Sequence, residues 1–341
     1  MLALALCTPG ARAADSDPET LMRRARDLFG YGRWSDARHE LLRAREVIDP
    51  SDRFRAQEID YYLAACAVEL GSADAEGALR EFEQRYPYSV HTNDVRFSLG
   101  SYYCSVGNMA KAREAFERTD YRSLDARRRE QYDIRMGYVD FSEGRYREAY
   151  DRFSRIGSRS EYADHARYYT AYIDYAEGRY ARAKQGFESL RRSDAYGRLV
   201  PYYLLQIEFR EGNYRYVVEH GEELARQAVP ERRAELERVI AESWFRLEDF
   251  NRTLEHLAAY RASGGEMDRD ADYLEGFSLY RTARYGEAAE WLRKACGARD
   301  ALTQNASYHL ADCYLRAGDK EQAMQAFAMA ADESFDAAVA E

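Results

Sequence analysis

The 341-residue chain has little of what most chemistry requires. It holds six histidines, five cysteines, six prolines and three tryptophans. His39, His91, His165, His220, His256 and His309 are scattered, without the spacing of metal ligands. No HExxH, GxxxxGK[ST] or GxSxG occurs, and Gly30-Tyr31-Gly32 has no strand before it. Neither a metal nor a cofactor is expected, and a non-enzymatic role follows. No apolar run reaches the length of a membrane-spanning helix. Basic excess is missing too: the formal net charge is −10, and no basic domain or base-reading motif appears, so nucleic acid is not an expected partner. Cys66, Cys104, Cys296 and Cys313 show no CxxC spacing and read as thiols buried in helices. Cys296 and Cys313 fall on neighbouring helices, and a disulfide between them stays open for an exported chain.

What the chain does have is self-similarity, which is the first thing to look for in a sequence of this length. Gly137, Gly144, Tyr146, Ala149 and Phe153 recur 34 residues later as Ala171, Gly178, Tyr180, Ala183 and Phe187. With the glycine as anchor, equivalent positions are Gly32, Gly71, Gly107, Gly144, Gly178, Gly212, Glu248, Ala283 and Gly318, at steps of 34 to 39 residues. The anchor follows about fourteen residues of helix-period pattern and suits a left-handed C-terminal cap, where a Cβ is penalised. Two residues on stands a large side chain (Trp34, Tyr146, Tyr180, Phe250, Tyr285) that opens a second helix and folds back over the first. Small residues lie five after the anchor (Ala37, Ala112, Ala149, Ala183) and seven before it (Ala25, Ala64, Gly100, Gly137). They predict two antiparallel rods in close approach, where larger groups overpack by about 1–3 kcal/mol. Nine after the anchor, Leu41, Phe116, Phe153, Phe187 or Leu292 fills space toward the next unit.

Spacing and residue types resemble the tetratricopeptide repeat, a helix-turn-helix unit of about 34 residues, over roughly residues 18–335. The resemblance implies an all-α, right-handed superhelical solenoid of about nine repeats, near 18–48, 52–86, 93–119, 130–158, 164–193, 198–229, 234–262, 269–298 and 304–333. The stretch Phe82–Ser89, followed by Leu99–Tyr103, is also similar to repeats of bacterial cell-envelope proteins. Repeat six carries Val217 and Gly221 where Ala and Phe are expected, and repeat seven carries Glu248 and Thr253 for Gly and Ala. These two lie furthest from the pattern.

Residues 1–14 read as a signal-peptide-like leader with a small-residue site at Ala11-Arg12-Ala13, leaving 15–341 as one solenoid. A periplasmic or outer-membrane-associated location is the resulting expectation, with a cytoplasmic one as the alternative. Ser334–Glu341 reads as the approach to a tenth helix, as in a longer array.

First helices of such pairs line the concave side. Positions ten, six and three before each anchor share one helical face. They supply the expected binding stripe: Tyr138, Tyr168, Tyr172, Tyr175, Tyr202, Phe209, Tyr273 and Tyr280. Tyrosine, with an apolar body and a polar tip, suits such surfaces. A ladder of Arg210, Arg246, Arg281 and Arg316, two before successive anchors, runs beside it. Forked guanidinium donors suit partner carboxylates, although cations near helix C-termini also favour the macrodipole. The expected function is a protein-binding scaffold that takes a peptide or partner segment. Peptidoglycan recognition by the same rings is one alternative, and an architectural arm of a longer repeat protein is the other.

Overall fold

The computed structural model describes residues 17–332 and Phe335. The leader at 1–14, and all of 334–341 but Phe335, lie outside the described residues. Regular structure in the described part is helical, with no strand. Nine helices take the first place in a pair: α1 (Pro18–Gly30), α3 (Arg53–Glu69), α5 (Thr92–Ser105), α7 (Ala126–Ser142), α9 (Ala163–Ala176), α11 (Val200–Arg210), α13 (Pro230–Arg246), α15 (Arg269–Arg281) and α17 (Ala301–Ala317). Their partners are α2 (Trp34–Val47), α4 (Ala75–Arg85), α6 (Met109–Glu117), α8 (Tyr146–Phe153), α10 (Tyr180–Ser189), α12 (Tyr214–Gln227), α14 (Phe250–Ala262), α16 (Tyr285–Ala295) and α18 (Lys320–Asp332). The pairs form an α solenoid of helical repeats, in two compact units, Met1–Ile173 and Asp174–Glu341.

Caps decide where the helices begin and end. Asp52, Asp125, Asp268 and Asp300 each accept a hydrogen bond from the backbone N–H three residues on. All nine anchors are left-handed, the seven glycines and also Glu248 and Ala283, both at φ 61°. A Cβ in that region costs about 1–2 kcal/mol. The chain accepts the cost because the turn closes a paired set of bonds. Gly144 N–H donates to the Phe141 carbonyl at 3.0 Å and Arg145 N–H to the Asp140 carbonyl at 2.8 Å. The same pair recurs at Ala283 and Arg284, so period and helix end outweigh local strain.

The small-residue seam packs as its spacing predicts, and the bulky residue nine after the anchor completes it. Ala37, Ala112, Ala149 and Ala183 are fully buried. A Cβ added to Gly137 would stand 2.7 Å from the Phe153 ring, and one on Gly100 2.6 Å from Phe116. Each ring therefore abuts the glycine of its own pair. It also reaches forward: Phe153 stacks on Tyr169 at 5.2 Å and Phe187 on Tyr203 at 4.5 Å. In the sixth pair the volumes are exchanged. Leu205 takes the small-residue position, Gly221 takes the bulky one, and Ile240 from α13 comes within 2.7 Å of a Cβ at Gly221. Val217 is buried in place of alanine.

A further tie was not read from the sequence. A cation six after one anchor meets an acid four before the next: Arg113 Nη2 lies 2.7 Å from Asp140, and Lys184 pairs with Glu208. Both acids are buried. Burial of a charge is tolerable only with such a partner.

Candidate partner-binding surface

In the first unit, first helices of the opening pairs enclose a groove of about 1060 Å³. Phe29, Val68, Phe97 and Ser101, all on the predicted face, line it, with Trp34 at one side. Arg128 and Arg135 of α7 enter the same space. Arg128 pairs with Asp94. Arg135 donates to Ser101 Oγ at 3.0 Å and lies over the Phe97 ring at 5.8 Å. The partners that fix this guanidinium are thus a neutral hydroxyl and a ring. Ser98, Ser101 and Ser105, spaced three and four apart on α5, put small polar groups along the wall. The groove presents both an arginine and an apolar floor.

None of the eight predicted stripe rings is buried and none is fully exposed. In the first unit Tyr138, Tyr168 and Tyr172 gather round two neighbours. Tyr138 meets the edge of Tyr169 at 5.7 Å, Tyr168 meets it at 5.3 Å, and Tyr172 lies 5.4 Å from Phe141. Each ring spends one face on its neighbours and leaves part of itself in water. Tyr169, absent from the predicted stripe, is the hub.

In the second unit the position three before the anchor pairs with the ring two after it. Tyr175–Tyr180, Phe209–Tyr214, Phe245–Phe250 and Tyr280–Tyr285 lie 5.8–6.2 Å apart. Burial raises the Tyr175 hydroxyl above its ordinary value, and the neighbouring Arg210 charge works against that. Tyr202 carries the Arg232 guanidinium over its face at 4.7 Å. Burial, then Glu235, push its hydroxyl well up. Tyr273 packs on Phe277 at 5.7 Å, and burial pushes its hydroxyl up to about 12. Tyr280 donates to Asp312 at 2.8 Å. Tyr273 and Arg246 share a second groove of about 330 Å³ with Arg238, Glu242 and Phe245.

All four ladder arginines are exposed. Two of them clasp neighbouring pairs together. Arg281 sits over Phe250 at 4.5 Å, and Arg316 over Tyr285 at 4.7 Å while also pairing with Asp312 at 2.8 Å. In each case the ring belongs to the preceding pair, so the ladder has a packing role. The first-unit groove was missed because serines and a lone arginine carry no aromatic signature; the three-and-four spacing of Ser98, Ser101 and Ser105 was the available signal. The four cysteines among the described residues are free thiols. Cys296 Sγ instead contacts Ser307 Oγ at 3.3 Å. No cluster of metal-ligating side chains occurs among the described residues.

Residues 305–333, a span that takes in most of the ninth helix pair, match the family model of the tetratricopeptide repeat. The other eight pairs repeat its left-handed turn at the same period. The ninth pair is thus matched as a tetratricopeptide repeat. No curated protein matches the chain. Among solved structures it is similar to MamA, at 14% identity over 48% of this chain and 92% of that one, with a TM-score of 0.39. A tetratricopeptide repeat protein from Parabacteroides merdae ATCC 43184 shares 14% identity over 77% and 98% of the two chains, with a TM-score of 0.43. The APC/C hetero-tetramer Cut9-Hcn1 shares 15% over 86% of this chain and 55% of that one, with a TM-score of 0.44. Tetratricopeptide repeats are typically scaffolds for protein–protein interaction, which fits this chain's fold. No helix among the described residues is long and apolar enough to cross a membrane.

Proposed function

We propose that this protein is a non-enzymatic adaptor that holds a segment of a partner protein against its first-helix faces. The observation that carries this reading is the first-unit groove, whose lining includes Phe29, Val68, Phe97 and Ser101 of the face counted from the anchors. Half-exposed Tyr138, Tyr168 and Tyr172 extend a sticky surface in that unit, and Tyr175, Tyr202, Phe209, Tyr273 and Tyr280 supply one in the other. Partial burial keeps these rings rigid, so little freedom is lost when a partner covers them. Arg135, fixed by neutral groups, prefers a partner carrying a carboxylate at that point.

Affinity purification from the source cells, with mass spectrometry, tests the proposal. A discrete partner should be retained by the wild type and lost with Arg135→Glu, or with Tyr172→Ala plus Tyr175→Ala. Retention of the same proteins by all three forms counts against it. Water-facing tyrosine rings also stack on sugars, which supports the second reading, peptidoglycan recognition; specific retention on purified cell wall favours it. The leader-like residues 1–14 support a periplasmic or outer-membrane-associated site of action. Cell fractionation decides that point.

A further inference from the structure

Away from the groove, α4, the loop after it, α5 and the end of α6 enclose a cleft of about 360 Å³. Arg80, Glu83, Gln84, Pro87, Arg96 and Arg118 line it. Glu83 is largely buried and accepts from Arg96 Nε at 2.7 Å and from Arg118 Nη2. Arg96 Nη1 also donates to the Arg118 carbonyl at 3.3 Å. Arg80 approaches Glu76 at 3.8 Å, but that carboxylate already accepts from Tyr103 and Lys111. Three guanidinium groups and one carboxylate therefore line the cleft, and two of the three, Arg96 and Arg118, bond that carboxylate, in a chain whose net charge is −10. Such convergence is costly in self-repulsion unless an anion joins it, and planar guanidinium forks match phosphate oxygens.

The loop beside the cleft supplies a second, independent observation. Tyr88, next to the lining Pro87, is 99% exposed, and Val90 is 84% exposed. A free phosphate ion has no use for apolar neighbours. An aromatic and a branched side chain held out beside clustered arginines suit the boundary between lipid headgroups and acyl chains, where tyrosine is favoured.

We propose that the Arg80–Arg96–Arg118 cleft takes the phosphate of an anionic phospholipid headgroup while Tyr88 and Val90 enter the interfacial layer. The helix pairs are then held at a bilayer surface by a site separate from the partner groove. Glu83 holds Arg96 and Arg118 at the cleft before the lipid arrives and competes with it for them.

Co-sedimentation of the full chain with vesicles tests this. Binding is expected to phosphatidylcholine vesicles containing phosphatidylglycerol, and not to phosphatidylcholine alone. Arg80→Gln with Arg118→Gln should lower partitioning roughly thirtyfold, since each arginine near such a surface contributes about a factor of five. Tyr88→Ser with Val90→Ser should lower it about tenfold without changing the salt dependence. Glu83→Gln should raise it, a gain that a purely structural pairing would not give. Thermal melts verify that each variant stays folded. Equal binding to both vesicle types overturns the proposal, and so does partitioning untouched by either double variant. Saturable binding of inorganic phosphate without vesicle binding also overturns it.

Discussion

Pair four, α7 with α8, and pair six, α11 with α12, bring the same two backbone positions together with opposite side chains. In pair four the first helix supplies Gly137 and the second lays the Phe153 ring over it. In pair six the first helix supplies Leu205, the second supplies Gly221, and Ile240 from the following helix fills the remaining space. Both seams are closed. The repeat therefore constrains the summed volume across a contact more tightly than the residue at either side of it, as dense packing demands.

Removing the ring gives the largest expected effect. Phe153→Ala should destabilise the protein by about 3–5 kcal/mol, since a ring buried between two pairs leaves a cavity that straight helices collapse poorly. Urea unfolding checks it, and a change below about 1 kcal/mol would show that the contact is not a shared core. Next come the glycines. Gly137→Ala and Gly221→Ala each push a methyl to within 2.7 Å of a neighbour. Each should cost about 1–3 kcal/mol of overpacking, partly offset by about 0.5–1 kcal/mol of helix propensity. Ile240→Ala should rescue Gly221→Ala and do nothing for Gly137→Ala. Simple additivity in the first case would break the exchanged-volume account of pair six.

The turns give a smaller effect of opposite sign. Ala283→Gly relieves a left-handed alanine and should stabilise by about 0.5–1 kcal/mol, after allowance for the looser unfolded chain. Glu248→Gly should act alike, and Gly178→Ala should reverse it; thermal midpoints report all three. Smallest is a pH effect. Burial works against the Asp312 carboxylate, yet Arg316 and the Tyr280 hydroxyl hold it below its usual value. The unfolded chain binds more protons there, so this stability is present above the ordinary carboxylate value and fades as pH falls through the lowered folded value. Tyr280→Phe should therefore cost more near pH 7 than at about pH 2, and an equal loss at both would remove the Tyr280–Asp312 bond from the account.

Much of this could be read one residue at a time. The glycine anchors were legible because positive φ excludes nearly everything else. Glu248 and Ala283 were found by period alone, and they adopt the same turn. Leu205 and Gly221 were harder: each looks like a departure until Ile240, nineteen residues beyond Gly221, is seen to complete the contact. The stripe positions lie on first helices, but the groove in the first unit rests on Ser98, Ser101 and Arg135, which no aromatic count would select.

By itself the sequence determined the helix pairs, their turns and their close seam, because backbone conformation and nearest-neighbour volume are local properties written at fixed spacing. Tertiary structure alone decided how each exposed-looking side chain is used. Arg281 and Arg316 could be read as a ladder for a partner, yet they lie on rings of the preceding pair. Arg80 of α4, Arg96 of α5 and Arg118 just past α6 come together round one cleft, and the last two bond the same carboxylate. Charge and ring contacts across pairs depend on distances that no period encodes, so they had to be seen in three dimensions.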